Sequence, residues 1–139
     1  MTALLDTSFL FALADTSDRH HRAALEVARH LTDPLILPTL VLPEICYLLA
    51  SRLGHSAMRR FLRELIASDT FLEPVDLADL KRIHEILDQY ADSRLDFVDA
   101  VIVAIAERRN VRRILTLDRR HFGMIRPRHC AYFQILPAL

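Results

Sequence analysis

The sequence predicts an α/β fold with a parallel sheet covered by helices on both faces, and three observations lead there. Short apolar runs bounded by turn residues alternate with helical segments along the whole chain. The longest nearly uninterrupted apolar segment falls within Leu95 to Phe122, LDFVDAVIVAIAERRNVRRILTLDRRHF, and reads as a buried helix followed by a buried strand. Apolar residues make up 52% of the 139, only two are Gly, and no Ser/Gly-rich or repeated segment interrupts them. That composition argues against linkers and disorder and predicts one domain spanning residues 1–139.

Taken in order, Ala3-Leu4-Leu5 is the first strand, with Asp6-Thr7-Ser8 directly behind it. Phe9 to Ala14 reads as a short helix. Ser17 or Asp18 caps the next helix, Arg19 to His30, whose Ala24, Leu25, Ala28 and Leu31 form one apolar stripe. Leu35-Ile36-Leu37 is a second strand between two prolines. A helix ending at Arg52 follows within Thr39–Arg52. Pro43 belongs in its first turn, so it begins near Leu42, and Gly54 closes it. Ser56 to Ala67 is amphipathic. Phe71 to Val75 is a third strand, placed at an edge by Pro74. Asp76 caps a helix from Leu77 to Tyr90, which buries Leu80, Ile83, Ile86 and Leu87. Helix Phe97 to Arg109, strand Ile114 to Leu117 and strand Tyr132 to Leu136 complete the order.

The 18 basic residues balance 18 acidic ones, so whole-chain charge is silent about partners. Its distribution is not. Eight arginines against Glu107 and Asp118 lie between positions 107 and 129, a positive segment of the kind that faces polyanions or forms a solvated rim. Cys46 and Cys130 have no paired spacing and read as buried free thiols, which suits a cytoplasmic protein. The apolar start lacks a positive leader and is broken by Asp6, so it is not expected to be a signal peptide. No apolar run reaches 18 residues, and no membrane span is expected.

In a parallel sheet, ligands gather at the carboxyl ends of the strands. Asp6 follows the first strand, Asp118 ends the run from Ile114 to Leu117, and Glu44 opens the helix after the second strand. Asp99 stands in the first turn of the Phe97 to Arg109 helix. Four carboxylates from four segments are thus expected on one rim, where their repulsion calls for a cation between them. Oxygen donors without a Cys or His pattern suit Mg²⁺ or Mn²⁺ rather than zinc. Singly, each acid has a plainer role as a turn residue, a helix-terminal charge or a cap. Asp96 reads as the N-cap of the Phe97 helix, and its membership in the site stays open.

The order Asp6-Thr7-Ser8, Glu44, Phe97-Val98-Asp99-Ala100 and Thr116-Leu117-Asp118-Arg119-Arg120-His121-Phe122 resembles a PIN domain. More narrowly it resembles the VapC toxins of bacterial toxin–antitoxin pairs. The resemblance covers essentially the whole chain. It implies a three-layer α/β/α sandwich and an Mg²⁺- or Mn²⁺-dependent endoribonuclease acting on structured RNA of the tRNA or rRNA class. Asp6, Glu44, Asp99 and Asp118 match the family's acidic quartet, with Ser8 and Thr116 at hydroxyl positions that orient a carboxylate or a water. It also implies a homodimer held inactive by a small VapB-type antitoxin.

Arg112, Arg113, Arg119 and Arg120 are expected to hold RNA phosphates, for which the guanidinium fork is suited. Few exposed aromatics are expected, which points to recognition of RNA shape. His121 reads as structural or phosphate-facing rather than as a base. Two other acid-bearing α/β classes do not fit. A phosphoryl receiver needs a late lysine, whereas Lys81 is the sole lysine, and a haloacid-dehalogenase-type phosphatase needs an acid where Ser8 stands. The rival from another class is a PIN-like RNA-binding or scaffold module without turnover, which the intact quartet argues against.

Overall fold

A computed structural model describes residues 1–138 and contains one five-stranded sheet, all parallel, in the order β3-β2-β1-β4-β5. The strands are β1 (Ala3–Leu5), β2 (Leu35–Pro38), β3 (Phe71–Glu73), β4 (Arg113–Leu115) and β5 (Gln134–Leu136). Helices α1 (Thr7–Ala14), α2 (His21–His30), α3 (Val41–Arg52) and α4 (His55–Ala67) occupy the crossovers from β1 to β3. Helices α5 (Leu77–Gln89), α6 (Phe97–Arg109) and α7 (Arg119–Met124) follow β3, with a 3₁₀ turn at Ala91–Ser93. The chain moves outward from β1 to β3, then returns to lay β4 on the other side of β1. Right-handed crossovers in opposite directions put the two helix groups on opposite faces, giving the expected three layers. Contacts agree: α1 packs on α2 and α3, α3 on α4, and α5 on α6.

Helix α6 is the centre of the core. Every residue from Ala100 to Ala106 is buried, which explains a sequence apolar on all sides rather than along one stripe. Its start is fixed by Asp96, whose carboxylate accepts the Val98 N–H at 3.1 Å. Its end is fixed by Asn110 in the left-handed region (φ 54°), a conformation Asn tolerates well. Pro43 is the third residue of α3, where a missing N–H costs nothing.

Several boundaries differ from expectation for physical reasons. β3 stops at Glu73 because Pro74 has no N–H to continue the ladder. α1 begins at Thr7, two residues early. α2 begins at His21, behind turns in which Asp15 and Asp18 accept the Ser17 and His20 N–H groups. The stripes are narrower than periodicity suggests: Ala28 and Leu80 are exposed, and α4 buries no residue fully. Cys46 and Cys130 are free but only half-buried. No helix among the described residues is long and apolar enough to cross a membrane.

Candidate metal centre

The strand order reverses between β1 and β4, and the crevice at their carboxyl ends is where a ligand belongs in such a sheet. Asp6 lies there at 5% exposure. Its own N–H donates to the Leu115 carbonyl, extending the β1–β4 ladder by one bond. Two hydroxyls donate to one carboxylate oxygen, Oδ2: Thr116 Oγ1 at 2.6 Å and Ser8 Oγ at 3.0 Å. Each hydroxyl also accepts a backbone N–H, from Asp118 to Thr116 at 3.0 Å and from Leu117 to Ser8 at 2.9 Å. Ser8 and Thr116 therefore aim the Asp6 carboxylate and bind the loop after β4 to the turn after β1.

Those same bonds correct the expected strand Ile114 to Leu117. The Leu117 and Asp118 amides turn toward hydroxyls instead of a neighbouring strand, so β4 ends at Leu115. Asp118 becomes the N-cap of α7, accepting the His121 N–H on Oδ1 at 3.0 Å. Its Oδ2 lies 2.8 Å from His121 Nδ1. Asp99, in the first turn of α6, completes a tight group with these two: one ligand atom from each of Asp99, Asp118 and His121 lies within 4.8 Å of the others.

The electrostatics match this crowding. Burial pushes the Asp99 carboxyl up to about 7, reinforced by Asp6, Asp118 and Asp96 and opposed by His121. Burial also raises Asp6 against the pull of Thr116 and Ser8, and the charge of Glu44 adds to the rise. Glu44 sits in the first turn of α3, half-buried and close enough to act on Asp6, but outside the tight group. Hydrogen bonding to Asp118 raises the His121 imidazole. A rim that resists holding its negative charges, with oxygen donors from separate segments, fits a divalent cation.

Asp96 is exposed, and its carboxylate is bound to the Val98 N–H as a cap. Asp96→Asn should therefore cost a few tenths of a kcal/mol, since Asn caps well. Thermal melting checks the cost, and an unchanged metal affinity by calorimetry is expected alongside it.

The positive segment is largely consumed inside the molecule. Arg108 and Arg109 bind Glu73, Arg108 also grips Asp79, and Arg128 binds Glu85. Arg126 donates to carbonyls at the end of α7, and Arg119 to the Ile135 and Pro137 carbonyls. Arg112 and Arg113 are a correction: they lie at the amino end of β4, away from the acids, and Arg113 is bound to Asp33 ahead of β2. Strand direction alone would have separated them from the rim. Arg120 is exposed and, among the described residues, carries no ion pair. The expected scarcity of surface aromatics is also corrected. Tyr47, one turn from Glu44 on α3, is 72% exposed, and Phe97 is exposed beside Asp96.

A family model described as PIN domain matches residues 3–125. Ribonuclease VapC26 of Mycobacterium tuberculosis is 36% identical over 134 residues, covering 96% of this chain and 99% of that protein. Among solved structures, Mycobacterium tuberculosis VapC20, a sarcin-ricin loop cleaving toxin, superposes with TM-score 0.79 at 23% identity. That superposition covers 85% of this chain and 91% of the other. DNA-bound VapBC from Salmonella typhimurium gives 0.69 at 16% identity, covering 97% and 96%. At these identities the two superpositions speak for the fold.

Proposed function

We propose, for a chain that belongs to the PIN domain family, a metal-dependent endoribonuclease acting as the toxin of a toxin–antitoxin pair. One observation carries the reading: Asp6, Asp99 and Asp118 converge at the β1–β4 crevice, where burial, reinforced by the Asp6 and Asp118 charges, pushes the Asp99 carboxyl up to about 7. The name and 36% identity of the ribonuclease relative support it. The substrate class is structured RNA, tRNA or rRNA, in keeping with a similar fold that cleaves the sarcin-ricin loop.

Asp6, Asp99 and Asp118, with Glu44 at the rim, would hold Mg²⁺ or Mn²⁺. Bound there, the ion supplies water activation and charge neutralisation at the scissile phosphate. Ser8 and Thr116 hold Asp6 in register, so that its carboxylate is presented without rearrangement. Arg120, exposed beside the site, is the residue proposed to hold a flanking phosphate, with Arg119 behind it.

A small VapB-type antitoxin is the proposed partner, as the VapBC and toxin–antitoxin complexes of the same fold suggest. An apolar groove of about 380 Å³, lined by Leu10, Leu13, Leu31, Phe61 and Leu65, offers it a seat between α1, α2 and α4. The active form is proposed to be a homodimer.

The test is incubation with total RNA. Cleavage should require added Mg²⁺ or Mn²⁺, stop with EDTA and return when the metal is restored. Cleavage indifferent to EDTA would overturn the assignment, and binding without cleavage under every metal condition would favour the scaffold reading.

A further inference from the structure

We propose that His121 is itself a ligand of the bound cation, through Nδ1, giving this centre a nitrogen donor and with it a preference for Mn²⁺ over Mg²⁺. The proposal rests on the metal-dependent reading above and deepens it.

The geometry is that of a coordination edge. Nδ1 lies 2.8 Å from Asp118 Oδ2, and one atom each of Asp99, Asp118 and His121 falls within a 4.8 Å spread. Around an octahedral ion with bonds of about 2.1 Å, adjacent ligands stand about 3.0 Å apart and opposed ones about 4.2 Å. The imidazole–carboxylate pair already has the length of an adjacent edge. The whole group spans no more than 4.8 Å, close to the span across an ion, so at most a small contraction closes it. Loading would release the Nδ1 proton to solvent and exchange one hydrogen bond for two bonds to the metal.

Local chemistry favours a ligand over a mere counter-charge. The segment uses arginine at positions 119 and 120, yet the side chain facing the carboxylates is an imidazole. Among basic side chains it is the one that readily lends a lone pair to a metal. The α7 turn also fixes it, because the His121 N–H is held by Asp118 Oδ1 while the ring meets Oδ2 of the same carboxylate. A residue so held is poised rather than mobile. Mg²⁺ keeps to oxygen ligands, whereas imidazole suits the transition metals, so one nitrogen shifts the balance toward Mn²⁺.

Electron spin echo spectroscopy of the Mn²⁺-loaded protein reads nitrogen bound directly to the ion, independently of any activity. The expected result is nitrogen modulation that disappears in His121→Gln and persists in His129→Gln, whose ring lies against the Val111 carbonyl. Calorimetry should show His121→Gln losing roughly tenfold in Mn²⁺ affinity with a smaller change for Mg²⁺. Circular dichroism verifies folding, and His121→Asn serves if the glutamine variant fails that check. Tight Mn²⁺ binding without nitrogen modulation would overturn the ligand and leave the nuclease reading standing. Binding of neither Mn²⁺ nor Mg²⁺ by the parent protein would overturn both.

Discussion

Asp99→Asn is expected to abolish RNA cleavage, by at least about a hundredfold, while making the metal-free protein more stable. Both effects arise from one carboxylate held up at about 7 by burial and by Asp6, Asp118 and Asp96. Its ordinary value is 3.8, so below that pH folded and unfolded chains both carry the proton and the residue is neutral in its effect. Between 3.8 and about 7 the unfolded chain has ionised while the folded one has not, and stability falls as pH rises. Above that range the folded state bears the full cost of burying the charge beside its acidic neighbours, with an upper bound of roughly 4 kcal/mol. Asparagine keeps the shape without the charge. In EDTA at pH 8 its melting temperature should exceed the parent's by roughly 5–10 °C, and the gap should close toward pH 4. Added Mn²⁺ should raise the parent and leave the variant nearly still, because binding to the folded state stabilises only a chain that binds. An active Asp99→Asn protein would remove Asp99 from the centre.

Arg108→Ala should be the most damaging substitution of a charged residue away from the site, at roughly 3–5 kcal/mol. Its guanidinium makes a two-point contact with Asp79, Nε to Oδ1 at 2.8 Å and Nη2 to Oδ2 at 3.0 Å, and reaches Glu73 at 2.7 Å. Both acids are buried, Asp79 at 4% exposure and Glu73 at 5%, so truncation strands the Asp79 charge out of water and weakens the pairing of Glu73. Arg109 still touches Glu73 at 3.2 Å but does not reach Asp79. A loss of roughly 10 °C or more in melting temperature is expected, with recovery when Asp79→Asn is added. The pair holds the Asp79 carboxyl below its ordinary range, against the cost of burial. Its contribution is thus present above the ordinary carboxylate pKa and lost as acid titrates the folded form. A variant that melts like the parent would show the network to be inert.

The rim of acids was legible because it depends on strand order and on a rule about strand ends. Asp6 and Asp99 stand where alternation placed them, and α6 runs from Phe97 to Arg109 as its cap and its terminal arginines imply. What could not be read was how hydroxyls redirect the backbone. Ser8 and Thr116 are 108 residues apart in sequence, and only their meeting turns Leu117 and Asp118 out of the strand. Helix α7 escaped because six residues containing Gly123 show no apolar period. The fate of the arginines was equally hidden. A positive segment looks the same whether its charges face RNA or meet Glu73, Asp79 and Glu85, and the fold brings those partners from distant segments.

A polypeptide still leaving the ribosome has Asp6 and Glu44 in hand long before it can use them. Asp6 waits for a hydroxyl 110 positions later, and β4 must cross the already paired β2 and β3 region to dock on β1. Closing so long a loop is slow and comes late in folding. Asp99 and Asp118 have no common address until that docking occurs. For the nuclease proposed above, this order of assembly would leave the nascent chain without a complete metal centre until β4 has docked. The proposed centre would be complete only with the last two of the five strands, when the chain is nearly whole.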